Sequence, residues 1–168
     1  KTFTTLFILL FSAITGTAHA NLEIFTCEPE WASLATELGG DKVNVFSATT
    51  GKQDPHHIEA RPSLIAKIRR ADLIICTGAE LETGWLPVLL SKSGNENIQP
   101  GKPGYFMATD YVELLEKPYT VDRSQGDVHS GGNPHIQTSP HNIALVAKEK
   151  KKKMVELDNT NAAIYNAA

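Results

Sequence analysis

The amino-acid sequence predicts an α/β protein with a parallel four-stranded sheet and helices on both faces of that sheet. Short apolar runs alternate with amphipathic segments along the chain, which is the pattern of repeated strand–helix–strand units. The apolar runs are nearly continuous, as in Leu73-Ile74-Ile75, and this indicates strands that are buried on both sides. Together these two observations predict a sheet whose faces are both covered by helices.

The predicted elements follow one another from residue 22 onwards. Prolines at positions 29, 62 and 140 are typical of the first turn of a helix, and Gly39-Gly40 is a typical helix stop. We predict strands at residues 22–27, 43–46, 72–77 and 105–108. We predict one helix at residues 29–38, a second that begins at Pro62, and a short helical turn at residues 111–115. Between the last two lies a predicted helix that contains Leu81, Trp85, Leu86, Leu89 and Leu90. The last of these predicted helices runs from Pro140 to Leu157.

Residues 1–20 have the pattern of an export signal that is cleaved after Ala20. Lys1 precedes an apolar run, and Ala18-His19-Ala20 is a small-x-small cleavage site. Removing these 20 of the 168 residues leaves 148, about the size of one domain. The net charge of −3 argues against nucleic-acid binding, and 41% hydrophobic with 21% charged residues argues against disorder. We therefore expect an exported domain that is not embedded in a membrane.

Two cysteines follow the predicted signal, and they bear on lipidation and on the compartment. Cys27 comes after Ile24-Phe25-Thr26 rather than after small residues, so we expect no lipid anchor and a free periplasmic protein. Cys27 and Cys76 fall at the ends of neighbouring predicted strands, where a bridge is sterically possible. Two buried thiols, a disulfide and metal ligation all remain compatible with the sequence.

The segment from residue 116 to residue 139 lacks apolar periodicity and is predicted to be a long loop. Loops of this length in compact domains are usually functional or disordered. The helix that follows carries a cationic cluster at Lys148 and residues 150–153. We interpret this cluster as a solvated helix face from whose apolar edge Lys150 snorkels.

Two Pro-His steps single out candidate metal ligands. Pro55-His56 and Pro134-His135 both lie in irregular segments after strands, so both are expected at the carboxyl edge of the sheet, where ligands bind in open α/β folds. Neutral imidazole suits Zn²⁺ and related transition metals, whereas carboxylates shift the preference toward Mn²⁺. His129 is either an accessory metal ligand or an idle loop residue. His57 and His141 are interpreted as surface residues.

At these residues the chain resembles the zinc/manganese solute-binding proteins, the metal-binding subunits of bacterial ABC importers. The resemblance covers essentially the whole sequence after the predicted signal. Its motifs are Asp54-Pro55-His56 with Glu59 and Pro62-Ser63, Ala71-Asp72-Leu73-Ile74-Ile75 with Gly78, Leu81-Glu82 with Trp85-Leu86-Pro87, Gly126-Asp127-Val128-His129, Gly132-Asn133-Pro134-His135, and Asp158, Asn161-Ala162 and Tyr165.

The resemblance implies a periplasmic protein that captures a divalent transition metal and delivers it to the membrane permease of an ABC importer. His56 and His135 match the two ligands from the first lobe, and His129 lies in the loop that carries extra histidines in zinc-specific members. Residues 21–157 then form the N-terminal lobe and residues 158–168 begin the inter-lobe helix, with the C-terminal lobe and its ligands absent. We expect a monomer, no organic cofactor, and zinc rather than manganese.

Two other functions remain open at this stage. An exported zinc-dependent hydrolase is one, with Glu59 as a candidate general base, although a carboxylate at a helix entry explains Glu59 more simply. A surface adhesin-like metal-binding protein is the other. The sequence contains no Gly-x-Ser-x-Gly or His-Glu-x-x-His motif, so we expect no enzyme.

Overall fold

The structure, a computed structural model, describes residues 20–122, 124 and 126–168. The predicted export signal at residues 1–20 lies outside the described residues except for Ala20. The strands are Leu22–Thr26 (β1), Val43–Ser47 (β2), Leu73–Cys76 (β3) and Tyr105–Met107 (β4). The α-helices are Pro29–Gly39 (α1), Pro62–Ile68 (α2), Leu86–Ser93 (α3), Pro140–Leu157 (α4) and Ala162–Ala167 (α5).

The four strands form one parallel sheet in the order β2-β1-β3-β4, which confirms the predicted fold class. In the middle of the sheet, Phe25 is in register with Phe46 on one side and with Ile74 on the other. Because all strands run in the same direction, the loops that follow β2 and β4 leave the sheet at the same edge. Those are the loops that carry the two Pro-His steps.

Alternating side chains of the central strands supply two separate cores, one on each face of the sheet. Ile24, Leu73 and Ile75 face α1, α4 and α5 together with Trp31 and Tyr165. Phe25 and Ile74 face α2 and α3 together with Leu64, Trp85 and Leu89. The sequence predicted strands buried on both sides, and these two cores confirm that prediction.

Cys27 and Cys76 form a disulfide, with Cα atoms 4.8 Å apart. Cys27 follows β1 and Cys76 ends β3, and these strands are neighbours in the sheet. The three alternatives left open by the sequence therefore resolve to a cross-link between the two central strands. Its sequence separation of 49 residues closes a long loop, which constrains the unfolded chain.

The third helix begins later than predicted, since Leu81 and Trp85 precede α3 rather than belong to it. Ala79 and Glu80 adopt left-handed backbone conformations with φ of 48° and 69°, which no α-helix accommodates. Trp85 is the N-cap residue and Pro87 lies in the first turn, so the helix begins between them. We call the segment from residue 78 to residue 85 the bridging loop.

Lys150 does not snorkel, and that part of the prediction is wrong. Its side chain is fully buried between α4 and α1, where Nζ donates to the Trp31 carbonyl at 3.0 Å and lies over the indole ring. Burial lowers the Lys150 pKa to about 7. The other lysines of the cluster do face solvent, and Lys152 and Lys153 pair with Glu149 and Glu156 on the same helix.

The short turn predicted at residues 111–115 lies earlier, as a 3₁₀ turn at Ala108–Tyr111 directly after β4. It lies there because the Tyr111 ring stacks on the ring of Phe106, which is part of β4. Among the residues that the structure describes, no helix has both the length and the apolar character needed to span a bilayer.

Candidate metal centre

The two Pro-His steps form the same local turn at the carboxyl edge of the sheet. In the first, the backbone N–H of His56 donates to Oδ1 of Asp54 at 3.0 Å. In the second, the backbone N–H of His135 donates to Oδ1 of Asn133 at 2.9 Å. An Asp or Asn side chain that accepts from the backbone two residues later fixes a tight turn, and the intervening proline limits its alternatives.

Asp54 orients the imidazole of His56 as well as its backbone. Its Oδ1 lies 2.7 Å from Nδ1 of His56. Because an ionised carboxylate only accepts hydrogen bonds, Nδ1 carries the ring hydrogen and Nε2 presents its lone pair. A carboxylate that holds the far nitrogen of an imidazole in this way is the usual partner of a metal-ligating histidine.

The lone pair of His56 points at His129. The two Nε2 atoms are 3.1 Å apart, and the ring centroids are 5.2 Å apart. Two nitrogens bound to one tetrahedral Zn²⁺ at ~2.0–2.1 Å would be about 3.3 Å apart. The His56–His129 pair therefore already has nearly the spacing of two ligands on one ion, although the sequence analysis left His129 as an accessory or idle residue.

His135 lies near His56 and is more exposed. The ring centroids of His56 and His135 are 6.3 Å apart, and the rings are nearly perpendicular. The rings of His56 and His129 are thus in contact at Nε2, and the ring of His135 stands further from His56. They line a cavity of about 400 Å³ together with Glu116, Asn133 and Pro118.

Three further residues considered from the sequence, His57, Glu59 and His141, are exposed. His57 is exposed, with Nδ1 3.0 Å from Oδ2 of Asp54. His141 is exposed in the first turn of α4. Glu59, which was considered as a general base, is exposed in the loop before α2. The ring centroid of His57 lies 6.2 Å from that of His56, but none of these three residues lines the cavity that His56, His129 and His135 share.

The electrostatics keep the site ready for a cation near neutral pH. The hydrogen bonds from His57 and His56 hold the pKa of Asp54 well below its usual range, so this carboxylate stays charged. Burial, followed by the proximity of His56, lowers the pKa of His129 below 6.5. His129 is therefore neutral, and able to bind a metal, at lower pH than an ordinary histidine.

The bridging loop contacts both histidine-bearing segments. The indole N–H of Trp85 donates to the Pro55 carbonyl at 2.8 Å, directly beside His56. Glu80 accepts two hydrogen bonds from Ser130, directly beside His129. The sequence analysis missed both supports, because each joins residues far apart in the chain: 30 positions for the first and 50 for the second.

Glu82 of the bridging loop and Glu28 form a buried pair of carboxyl groups beside the end of β3. Glu82 accepts from the backbone N–H groups of Thr77 and Gly78 at 2.7 and 3.1 Å, which closes the loop onto the end of β3. Glu28 accepts from the Thr77 hydroxyl at 3.0 Å. Burial raises the pKa of both carboxyl groups, and the neighbouring charge of Glu82 raises that of Glu28 further.

The chain is similar in sequence to substrate-binding lipoproteins of ABC transporters. The chain is 31% identical over 147 residues to the manganese ABC transporter substrate-binding lipoprotein PsaA of Streptococcus pneumoniae, which covers 86% of this chain and 44% of that protein. It is 26% identical over 170 residues to the iron ABC transporter substrate-binding lipoprotein MtsA of Streptococcus pyogenes serotype M1, which covers 97% of this chain and 51% of that protein. The chain thus spans about half the length of the curated relatives it matches.

The fold is also that of a solved structure described as the crystal structure of ZnuA. The TM-score is 0.64 at 25% identity, over 88% of this chain and 53% of that one. The match confirms the four-stranded parallel α/β architecture.

Fold and relatives together define the class as substrate-binding proteins of ABC transporters, which are not enzymes. Residues 24–168 match the family described as ZnuA, zinc-uptake complex component A, periplasmic. The chain belongs to this family.

Proposed function

We propose that this protein captures a divalent transition metal outside the cytoplasm and delivers it to an ABC transporter permease. The observation that carries the proposal is the approach of the His56 and His129 Nε2 atoms to 3.1 Å, with the His135 ring beside them. Two unprotonated nitrogens at this spacing repel each other's lone pairs unless a proton or a cation lies between them. A transition-metal ion is the cation that imidazole nitrogens bind best.

Zinc is the metal that the donor set supports. The three candidate ligands His56, His129 and His135 are imidazoles, and nitrogen donors favour zinc over manganese, which prefers oxygen. The Asp54 carboxylate accepts hydrogen bonds from the ring nitrogens of His56 and His57. It therefore orients a ligand and is not counted among the metal-binding groups. The manganese and iron transporters among the relatives make the metal a question for direct measurement.

We also propose the organisation of the complete protein. Residues 21–157 would form the first lobe, and residues 158–168 would begin a helix that leads to a second lobe with the remaining ligands. The match to about half of each relative supports this division. So does Asp158, whose Oδ2 accepts from the amide of Asn161 and the hydroxyl of Tyr165 and so holds the start of α5 against the end of α4. Residues 1–20 would be the export signal that is removed from a periplasmic protein.

Calorimetric titration of the protein expressed from its complete reading frame tests the ligand assignment. We expect binding of one Zn²⁺ per chain, and at least a 100-fold loss of affinity in the His56→Ala, His135→Ala double variant, because two ligands are removed. His141→Ala is the matched control and should bind as wild type, since this histidine lies outside the cluster. Titration with Mn²⁺ and Fe²⁺ ranks the metals.

An unchanged affinity in the double variant would disprove the assignment. Tighter binding of Mn²⁺ than of Zn²⁺ would leave the transport proposal standing and overturn the preference for zinc.

A further inference from the structure

Ser130 attaches the loop that carries His129 to the bridging loop. The backbone N–H of Ser130 donates to Oε2 of Glu80 at 2.9 Å, and its hydroxyl donates to Oε1 at 2.8 Å. Both oxygens of one carboxylate are thus used on one residue, next to the candidate ligand. Within the same loop, the Val128 N–H donates to the Gly126 carbonyl and the Gly132 N–H donates to the His129 carbonyl.

The backbone around Glu80 is unusual for residues other than glycine. Ala79 and Glu80 both have positive φ, and they follow Gly78, which is also left-handed. Left-handed conformations are unfavourable for residues with a Cβ, so neighbouring contacts must maintain them. This backbone presents the Glu80 carboxylate to Ser130, which donates to it from both its N–H and its hydroxyl.

The arrangement around His129 therefore parallels the arrangement around His56. At His56 the far ring nitrogen is held by Asp54, and the adjacent backbone carbonyl is held by Trp85. At His129 the ring contacts His56 through Nε2, and the adjacent residue is held by Glu80. In both cases one contact orients the ring and the other fixes the chain beside it.

We propose that Glu80 is a positioning residue for metal binding, which holds Ser130 and thereby keeps His129 within ligand distance of His56. The inference rests on the proposed function, because it concerns the same site. Each of the two Glu80 oxygens accepts a hydrogen bond from Ser130, so the role we assign to Glu80 is to hold this residue and not to bind the metal. Outer contacts of metal ligands contribute about 10- to 100-fold to affinity, and we expect the lower end of that range because Glu80 acts through a neighbouring residue.

A double-mutant cycle in the full-length protein tests this inference. Zn²⁺ affinity is measured by competition with a chromophoric chelator in Glu80→Ala, His129→Ala and the combined variant. We expect about a tenfold loss in Glu80→Ala, and no further loss when Glu80→Ala is added to His129→Ala. Ser130→Ala, which removes one of the two hydrogen bonds, should lie between wild type and Glu80→Ala.

Co²⁺ absorption supplies a readout that a general loss of stability would not move. If Glu80 positions His129, the visible d–d bands of the Co²⁺-loaded protein should change in Glu80→Ala in the same way as in His129→Ala. Glu80→Gln keeps one acceptor oxygen and should restore part of the wild-type spectrum. The control is Glu96→Ala, which removes an exposed carboxylate from the turn Glu96–Ile98, before β4 and at the opposite edge of the sheet.

The outcomes separate this inference from the proposed function. Losses that add in the combined variant, or a Glu80→Ala affinity equal to wild type, would overturn the positioning role while His56→Ala still abolished binding. A wild-type protein that binds none of the tested metals would overturn the proposed function itself. If Glu80→Ala does not fold, the Ser130→Ala and Glu80→Gln variants decide the matter by the same criteria.

Discussion

The two Pro-His turns share one backbone design and differ in how the histidine side chain is supported. Asp54-Pro55-His56 and Asn133-Pro134-His135 each close through a side-chain oxygen that accepts from the histidine N–H, at 3.0 and 2.9 Å. In the first turn, the residue before the proline is a carboxylate that also contacts the histidine ring, with Oδ1 of Asp54 2.7 Å from Nδ1 of His56. The Asn133 amide instead donates to Glu116 at 2.7 Å.

The surroundings of the two turns differ in the same direction. His56 has a side chain that is 17% exposed, rests beside a carbonyl held by Trp85, and contacts His129. His135 is exposed, and its turn is tied to Leu115 and Glu116, which belong to the loop after β4. The shared tripeptide pattern therefore determines the turn, whereas residues from other elements determine how rigidly the histidine ring is oriented. We describe His56 as the preorganised ligand and His135 as the adaptable one.

Lowering the pH should have the largest effect on metal binding by His56 and His135. We expect Zn²⁺ affinity to fall by about 100-fold between pH 7.5 and 5.5, because protons compete for imidazole nitrogens whose ordinary pKa is about 6.5. Asp54, whose pKa is well below its usual range, stays ionised throughout and keeps His56 oriented. Burial and the neighbouring His56 lower the pKa of His129, so this ring should stay neutral to lower pH than an ordinary histidine.

The measurement is the dissociation constant at several pH values. The slope of its logarithm against pH should decrease in His135→Ala, which has one competing imidazole fewer, and should be unchanged in His141→Ala. An affinity independent of pH between 5 and 8 would show that groups other than imidazoles bind the metal.

Exchanging the two side chains that precede the prolines tests the comparison directly. Asp54→Asn gives the first turn the chemistry of the second, and we expect Zn²⁺ affinity to fall 10- to 100-fold, since the ring loses its carboxylate partner. Asn133→Asp keeps the turn but places a second carboxylate beside Glu116, so we expect at most a few-fold change. Both values come from chelator competition at fixed pH.

The asymmetry between these two variants is the essential result. Equal losses would mean that both positions only shape the turn, and the distinction between a preorganised and an adaptable ligand would be wrong. Thermal unfolding of both variants checks that neither loss reflects a damaged fold.

Trp85→Phe should have the smallest effect of the three. The variant retains an aromatic ring in the core but loses the indole N–H that donates to the Pro55 carbonyl at 2.8 Å. We expect a loss of about 1 kcal/mol in the free energy of unfolding and a few-fold loss of metal affinity. Trp31→Phe is the matched control, because its indole N–H donates at the same 2.8 Å to Thr77, in the core on the other face.

Trp31→Phe should reduce stability by a similar amount with a smaller effect on metal binding. If both variants reduce metal affinity equally, Trp85 acts through general stability rather than through its contact beside His56.

Much of the fold followed from local patterns in the sequence. The order of strands and helices, the parallel sheet and its two buried faces were predictable because periodicity and proline and glycine positions report on each segment by itself. The start of α3 was not, because the left-handed backbone at Ala79 and Glu80 depends on contacts made across the fold. Lys150 was mistaken for a surface lysine because its position on α4 resembles that of its neighbours, and only the packing of α1 covers it.

For the site, the sequence by itself determined the two Pro-His turns, the type of donor and the edge of the sheet where the histidines lie. Each of these depends on residues adjacent in the chain or on the direction of the strands. The tertiary structure decided which imidazoles approach each other, and it brought His129 closest to His56. It also decided which residues support them, since Trp85 and Glu80 act across 30 and 50 positions of sequence. Contacts of that range depend on how the loops pack against one another, and no local pattern records that packing.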